Sequence, residues 1–462
     1  MSLMNLSPEL LLQICEELCQ HCQEKHLDIP RPDLWKVGPS HRALHNLSLV
    51  CRYTRAVAQP VLYHHFGYVD KGASGLARFC RTICNNLKLA ECLQWADLSS
   101  SKAQVDSNAT RDWLADAVEK FSDHLLPNTQ FWLEKCPNCA LPALILLQAP
   151  NLERVDDDGK NEGVLFHMID WETGAVTHDD ALPQNLSSVW LGSWVQTIEE
   201  NYRFRVNVST KGLGHILGSL KTLRSLTIYC PWFSAIDEQL LFRHLRVLRL
   251  GEFLMRRDEF ERLISCTPML EEFAHFYFGV SAMRRGATAT IPEICKILTQ
   301  RRSTLRRVML DASCTFDNIE DVRMLENLEE LKIWAGPSLT PQPESDRINS
   351  QALVNALPPS LQKLHVKVKT PGLDMAGEAL LTYISSTSRA SSDEQMLKQV
   401  YFDVYEELAR RYDPFKQALE DRCHEWARHG TVVFSVRRFA WYDMGDWGSG
   451  EGNVDKEDNR DI

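Results

Sequence analysis

The side chains best equipped for chemistry are cysteines and histidines in two places and a set of basic residues in a third. Cys136-Pro-Asn-Cys139 has the spacing of a metal knuckle or a redox dithiol. Two thiols make only half of a zinc set, and a thioredoxin-like dithiol should open a helix after a strand, so no metal and no cofactor is expected there. Cys15, Cys19, His21 and Cys22 lie on or just after one amphipathic helical pattern. In that setting cysteine acts as a small buried apolar side chain. Gly-x-Ser-x-Gly, His-Glu-x-x-His and glycine-rich phosphate loops are all missing, and Gly448-Ser449-Gly450 lacks a flanking strand and helix. The expected chemistry is therefore recognition, with no catalytic residue.

Bulk properties agree with a binding role. The chain has 462 residues and a net charge of −11, which disfavours a general nucleic-acid binder. No apolar run approaches the roughly 20 residues of a membrane helix, and Glu9, Glu16 and Glu17 interrupt any signal-peptide pattern. The 14 cysteines follow no disulfide framework. That usage points to a reducing compartment, cytoplasm or nucleus.

Two N-terminal stretches must position the first recognition surface. In Leu6–Leu18, Ser7 caps a helix, Pro8 suits its first position and Glu9 favours its positive end. Leu11, Ile14, Cys15 and Leu18 then fall at helical spacing. In Ala43–Phe66, Leu44, Leu47, Val50 and Cys51 repeat that spacing, Arg52 and Arg55 follow, and Pro60 is expected to break the helix. Residues 21–41, with Pro30, Pro32 and Pro39, read as an inserted surface loop.

The order Leu6, Pro8, Glu9, Leu10, Ile14, Leu18, then Leu49-Val50-Cys51-Arg52, then Pro60, Leu62, Tyr63 and Phe66 resembles the F-box. The link of residues 21–41 is longer and more polar than is usual in that family. The resemblance implies docking to a Skp-type adaptor, and through it to a cullin. The residues implied are Leu6, Pro8, Glu9, Leu10, Ile14, Leu44, Leu47, Val50, Cys51, Arg52, Leu62 and Tyr63.

Farther along, Leu-x-x-apolar-x-apolar recurs. It begins at Leu186, Leu223, Leu245, Leu305, Leu328, Leu361 and Leu397, with a partial copy at Leu152. A copy at Leu270 carries His275 in its third apolar place. The starts lie about 22 to 37 residues apart, against roughly 20–29 in regular leucine-rich repeats. Helical patterns intervene, so the expected fold class is α/β: a short helical unit followed by an irregular solenoid of strand–helix repeats with a curved parallel sheet. This part resembles the irregular leucine-rich-repeat domains that follow F-boxes. The Asn of the regular repeat is replaced by Trp194, Pro231, Phe253, Ser313 and Gly336.

The expected organisation is an F-box over residues 1–67 and a helical lead-in over 68–150. Repeats follow over 151–440, and an acidic disordered tail over 441–462. Strand alternation turns Trp190, Tyr229, Arg249, Arg307, Lys332, Trp334, Lys363, His365, Lys367 and Tyr401 away from the leucines. Exposed Arg and aromatic residues are common in binding hot spots, so these are the candidates for contact with a protein substrate. Lys332, Lys363, His365 and Lys367 would form a basic strip suited to an acidic or phosphorylated segment. Acidic loop residues such as Asp156–Asp158 read as solvated. The resemblance implies the substrate-recognition subunit of a Skp–cullin–F-box ubiquitin ligase. The alternatives are an adaptor-binding scaffold outside a ligase, or an enzyme carrying a helical extension.

Overall fold

The computed structural model describes residues 5–24, 39–67, 73–98, 108–120, 137–157, 183–192, 217, 220–229, 241–251, 255–276, 289–311, 320–334, 355–367, 397–405, 417, 420–421, 423–424 and 433–439. Cys136, most of the loops and the tail beyond residue 440 lie outside them. The chain divides into two compact units. One comprises Met1–Met168, Thr177–Leu186 and Ala440–Ile462; the other comprises Ile169–Val176 and Ser187–Phe439. Both are α/β with parallel strands.

The first unit opens with helices α1 (Pro8–Leu18), α2 (Gln20–Glu24), α3 (Pro39–Val50) and α4 (Arg52–Leu62). Ser7 caps α1, its Oγ accepting from Leu10 N–H at 3.4 Å. Helix α2 and the start of α3 occupy both ends of the stretch read as a loop. Pro60 does not break α4; it sits inside the last turn, and the helix runs on to Leu62. Its missing N–H removes only one bond of the ladder there. The break falls instead at Cys51, whose extended backbone separates α3 from α4. Cys51 Sγ accepts from Thr54 N–H, and Thr54 Oγ1 accepts from Cys51 N–H. Leu11, Cys15, Cys19, Leu44, Ala58 and Val61 fill the core of this bundle. Tyr53 ties α4 to the N-terminus by donating its hydroxyl to Leu6 O at 2.8 Å.

Strand β1 (His65–Phe66), helices α5 (Ala73–Asn85) and α6 (Leu87–Ala90), and β2 (Trp95–Asp97) follow. Helices α7 (Asn108–Lys120) and α8 (Pro137–Gln148) and strand β3 (Arg154–Asp157) complete the series. The three strands pair side by side in chain order. A Cβ at Gly67 would meet His65 Cε1 at 2.8 Å, so glycine lets the chain leave β1 past that buried ring. Asp156 is not a solvated loop residue. It is buried on β3, where its carboxylate accepts from Trp95 Nε1 at 2.7 Å and from Arg154 Nε at 3.0 Å. The Arg154 guanidinium lies 4.0 Å from the Trp95 ring centre. Burial, aided by the Arg154 charge, pushes the His65 imidazole well below its ordinary pKa.

Among the described residues the second unit carries nine strands, each parallel to the next. They are β4 (Ser188–Gly192), β5 (Ser225–Tyr229), β6 (Val247–Gly251), β7 (Glu272–Phe276), β8 (Arg307–Asp311), β9 (Glu330–Trp334), β10 (Lys363–Lys367), β11 (Gln399–Tyr405) and β12 (Val433–Phe439). Helices α9 (Arg257–Ser265) and α10 (Ile291–Leu298) lie between strands, and a 3-10 turn takes Glu320–Met324. Thr290 and Glu293 cap α10 reciprocally: Thr290 N–H donates to Glu293 Oε2 at 2.9 Å, and Glu293 N–H to Thr290 Oγ1 at 3.5 Å.

One turn builds almost every strand entry. The N–H of the first leucine bonds a carbonyl three or four residues back, as in Leu223 to Leu220 O or Leu305 to Arg301 O. The next two N–H groups then converge on one carbonyl at the entry of the preceding strand. Arg224 and Ser225 donate to Ser187 O, Arg246 and Val247 to Arg224 O, and Glu271 and Glu272 to Arg246 O. The series continues through Glu271, Arg306, Glu329 and Gln362 as acceptors. The apolar side chains this turn aims inward form the core: Leu226, Leu248, Val308, Leu331, Leu364 and Val400 are fully buried. Phe273 joins them, with Phe260 of α9 at 5.6 Å between ring centres. The same turn operates in the first unit, where Gln94 and Trp95 donate to His64 O, and Glu153 and Arg154 to Gln94 O. Leu93-x-x-Ala96-x-Leu98 is therefore a copy of the repeat.

Candidate functional site

Two surfaces bear on recognition. The first is on the N-terminal bundle. Helix α1 turns Leu11 and Cys15 into the core, which leaves Leu10 and Ile14, one turn apart, 50% and 38% exposed. Leu12 is also exposed. At the end of α3, Leu49 and Val50 are 59% and 62% exposed, because Leu44 and Leu47 take the inward face. Buried leucines on one side and solvent-facing leucines on the other cannot both be satisfied within this bundle. Large apolar side chains left in water mark partner sites when they cluster.

The twelve residues implied by the resemblance divide by depth. Pro8, Glu9, Leu10, Ile14, Val50 and Arg52 are exposed. Leu44 is buried, and Leu47 and Leu62 pack at the edge of the same core, so these hold the helices together. Leu6 supplies the carbonyl that Tyr53 bonds. Cys51 caps α4, and Tyr63 stacks on Phe79 at 5.8 Å. Leu12 and Leu49 are further exposed positions beyond those twelve. Both are apolar, Leu49 adjoins Val50, and their orientation follows from the helix phase that buries Leu11 and Leu44.

The second surface is the sheet face opposite the leucines. Parallel register aligns Trp190, Thr227, Arg249, Ala274, Met309, Lys332, His365 and Tyr401 in one row across β4 to β11. Alternation assigns the face correctly, but the expected solvent-facing basic strip is not there. Trp190, Arg249, Lys332 and His365 are buried. The side chains of Tyr229, Trp334 and Lys367 lie outside the described ones. Arg307, Lys363 and Tyr401 are partly exposed.

The buried cations have carboxylate partners on the same strand or the neighbouring one. Arg249 Nε and the terminal guanidinium nitrogen both donate to Glu272 Oε1, at 2.9 and 2.6 Å. Arg307 reaches Glu272 Oε2 at 3.0 Å. Lys332 Nζ lies 3.8 Å from Glu330 Oε1, and His365 Nε2 lies 3.1 Å from the same oxygen. The His365 ring stacks on Tyr401 at 4.5 Å. Burial alone would raise the Glu330 carboxyl. The His365 hydrogen bond and the Lys332, His365 and Lys363 charges outweigh it and hold the group below its ordinary value. Charges removed from water persist when paired in this way, so Arg249, Lys332 and His365 are rungs of an internal ladder, each already facing a carboxylate. Glu272 and Glu330 were the missing half. They stand two residues before Ala274 and Lys332 and so share their face, a parity readable from the strand alternation.

His275 also departs from the leucine pattern. It sits on the core side in register with Leu250 and Leu310, and burial lowers its pKa to about 4. A neutral imidazole thus stands in an aliphatic row. Among the described residues no helix is long and apolar enough to cross a membrane. No family model matches the chain, and no curated protein matches it.

Proposed function

We propose that the chain is the substrate-recognition subunit of a Skp–cullin–F-box ubiquitin ligase, working in cytoplasm or nucleus. The observation that carries this reading is the apolar surface left in solvent by α1 and α3: Leu10, Ile14, Leu49 and Val50. These residues belong to the stretch whose order resembles the F-box, and a Skp-type adaptor is the partner that would cover them. The strand–turn–helix series of the second unit supports an irregular leucine-rich-repeat domain, whose role is to hold a protein substrate. The chain makes no bond itself; it raises the local concentration of substrate lysines near the ubiquitin-carrying enzyme.

Co-expression with a Skp-type adaptor tests the first step. The full chain should co-elute with the adaptor, and the Leu10→Ala, Ile14→Ala double variant should not, while its melting profile stays unchanged. Undiminished co-elution of the double variant overturns the assignment. Recovery of a cullin with the wild-type complex separates a ligase subunit from an adaptor-bound scaffold.

A further inference from the structure

Four metal-ligating side chains converge at the far end of α1 from Leu10. Cys19 closes α1, and His21 and Cys22 lie in the single turn of α2. His64 follows α4 immediately before β1. One ligand atom from each of Cys19, His21, Cys22 and His64 lies within 4.8 Å of all the others. Cys22 Sγ is 3.4 Å from His64 Nδ1 and 3.9 Å from His21 Nδ1. The two imidazoles meet edge to face, with 5.9 Å between ring centres. Cys19 and His21 are buried, and Cys22 and His64 are half-buried.

From this geometry we infer that Cys19, His21, Cys22 and His64 form a structural zinc site. Tetrahedral zinc, with bonds of about 2.3 Å to sulfur and 2.0–2.1 Å to nitrogen, sets its donors about 3.3–3.8 Å apart. The two sulfur–nitrogen separations, 3.4 and 3.9 Å, bracket the value of about 3.5 Å for such a pair. The widest separation, at most 4.8 Å, closes with about 0.5–0.7 Å of movement from each of two side chains. Cys19 and Cys22 have the two-residue spacing common in zinc knuckles. Thiolate and imidazole ligands favour zinc over calcium or magnesium, which take oxygen. Four protein ligands complete the tetrahedron and leave no open position for catalysis. Binding converts two thiols to thiolates and releases two protons, so the ligated centre is neutral.

The backbone already holds these ligands in place. Cys19 N–H bonds Glu16 O at 3.0 Å, and Cys19 O accepts from Gln23 N–H at 3.0 Å. His64 N–H bonds Val61 O at 3.1 Å, and His64 O accepts from Gln94 and Trp95, each at 2.9 Å. The metal fastens α1 and α2 to the chain entering β1 and closes the loop between Cys22 and His64, which lie 42 residues apart. A clip across so long a loop removes much freedom from the unfolded chain. Leu10 precedes Cys19 by nine helical steps, about 13 Å along the axis, so the zinc site is separate from the proposed adaptor surface.

The full chain, expressed with added zinc and passed over a chelating resin, should retain about one equivalent of zinc by elemental mass spectrometry. Cys22→Ser with His64→Ala should lose it, while Cys80→Ser, a thiol elsewhere in the first unit, should keep it. If the double variant fails to fold, cobalt added to the metal-stripped wild-type chain decides the matter. Tetrahedral ligand-field bands with sulfur-to-metal charge transfer are the expected spectrum. Three results each overturn the site: a folded wild-type chain that holds no stoichiometric zinc, a cobalt spectrum without sulfur character, or full zinc retention by the double variant.

Discussion

The N-terminal bundle and the repeat sheet break the rule of apolar inside and polar outside in opposite directions. The bundle leaves Leu10, Ile14, Leu49 and Val50 in water. The sheet takes Arg249, Glu272, Glu330, Lys332 and His365 out of water. The second exception is resolved inside the molecule, because each buried charge has a partner on its own strand or the next. The first has no such internal resolution, since the inward faces of α1 and α3 are already used. A residue in the wrong environment signals function only when its own chain does not account for it. On that criterion the helices, and not the basic strip, are the place to look for a partner.

Breaking the ladder should have the largest effect. Glu272→Ala leaves Arg249 and Arg307 without their shared carboxylate and should cost about 3–5 kcal/mol in urea unfolding. Replacing the pair together, Arg249→Met with Glu272→Leu, should recover the part of that loss that comes from the buried Arg249. A cost below about 1 kcal/mol for Glu272→Ala would mean that the ladder is solvated and that the contrast with the helices fails.

Next comes the pH response of the same sheet. His275 has a folded pKa of about 4 against an ordinary value of 6.5. Between those values the unfolded chain binds a proton that the folded chain refuses, so stability must fall as pH falls. The slope approaches about 1.4 kcal/mol per pH unit, and the loss is complete below the folded pKa. Urea midpoints measured from pH 7 to pH 4.5 should fall along that course, and His275→Leu should flatten it. Identical profiles for the two proteins would place the imidazole in a polar site.

On the helices the effect should move from stability to binding. Leu49→Ala should weaken adaptor affinity about tenfold, near 1.4 kcal/mol by calorimetry. Its melting midpoint should move by no more than about 0.5 kcal/mol equivalent. A large loss of stability would mean that Leu49 is packed and the surface is not a docking site. The smallest change belongs to the exposed rungs at the strand entries. Arg306 lies 3.0 Å from Glu329 and Arg246 2.8 Å from Glu271, all four at least one-third exposed. Arg306→Ala should cost under about 1 kcal/mol, in contrast to Glu272→Ala on the same sheet.

The sequence carries the inward face of the sheet plainly. Leu-x-x-Leu-x-Leu is itself a strand plus its turn, and even the misfit at His275 is visible in the pattern. The copy at Leu93 escaped because Ala96 is too small to register as an apolar beat. The fate of the other face was not legible. Arg249 meets Glu272, which lies one strand over and two residues before its register partner Ala274, so the pair is visible only once the strand order is known. Burial of a charged row depends on what covers it, and alternation says nothing of that. At the N-terminus, Cys19, His21 and Cys22 adjoin in sequence, but His64 reaches them only because α4 returns alongside α1. Pro60 misled for a local reason: a proline in a final helical turn ends little that was not already ending.

The shared-carbonyl turn has a consequence for how the chain is made. In every such pair the two donors come from the later strand and the acceptor from the earlier one. A strand leaving the ribosome therefore finds the carbonyl that receives its entry turn already synthesised. The sheet can grow vectorially during translation, each new edge templating the next. Truncation from the C-terminus should then remove strands one at a time and leave the earlier ones assembled, whereas deleting an early strand strands everything that follows it.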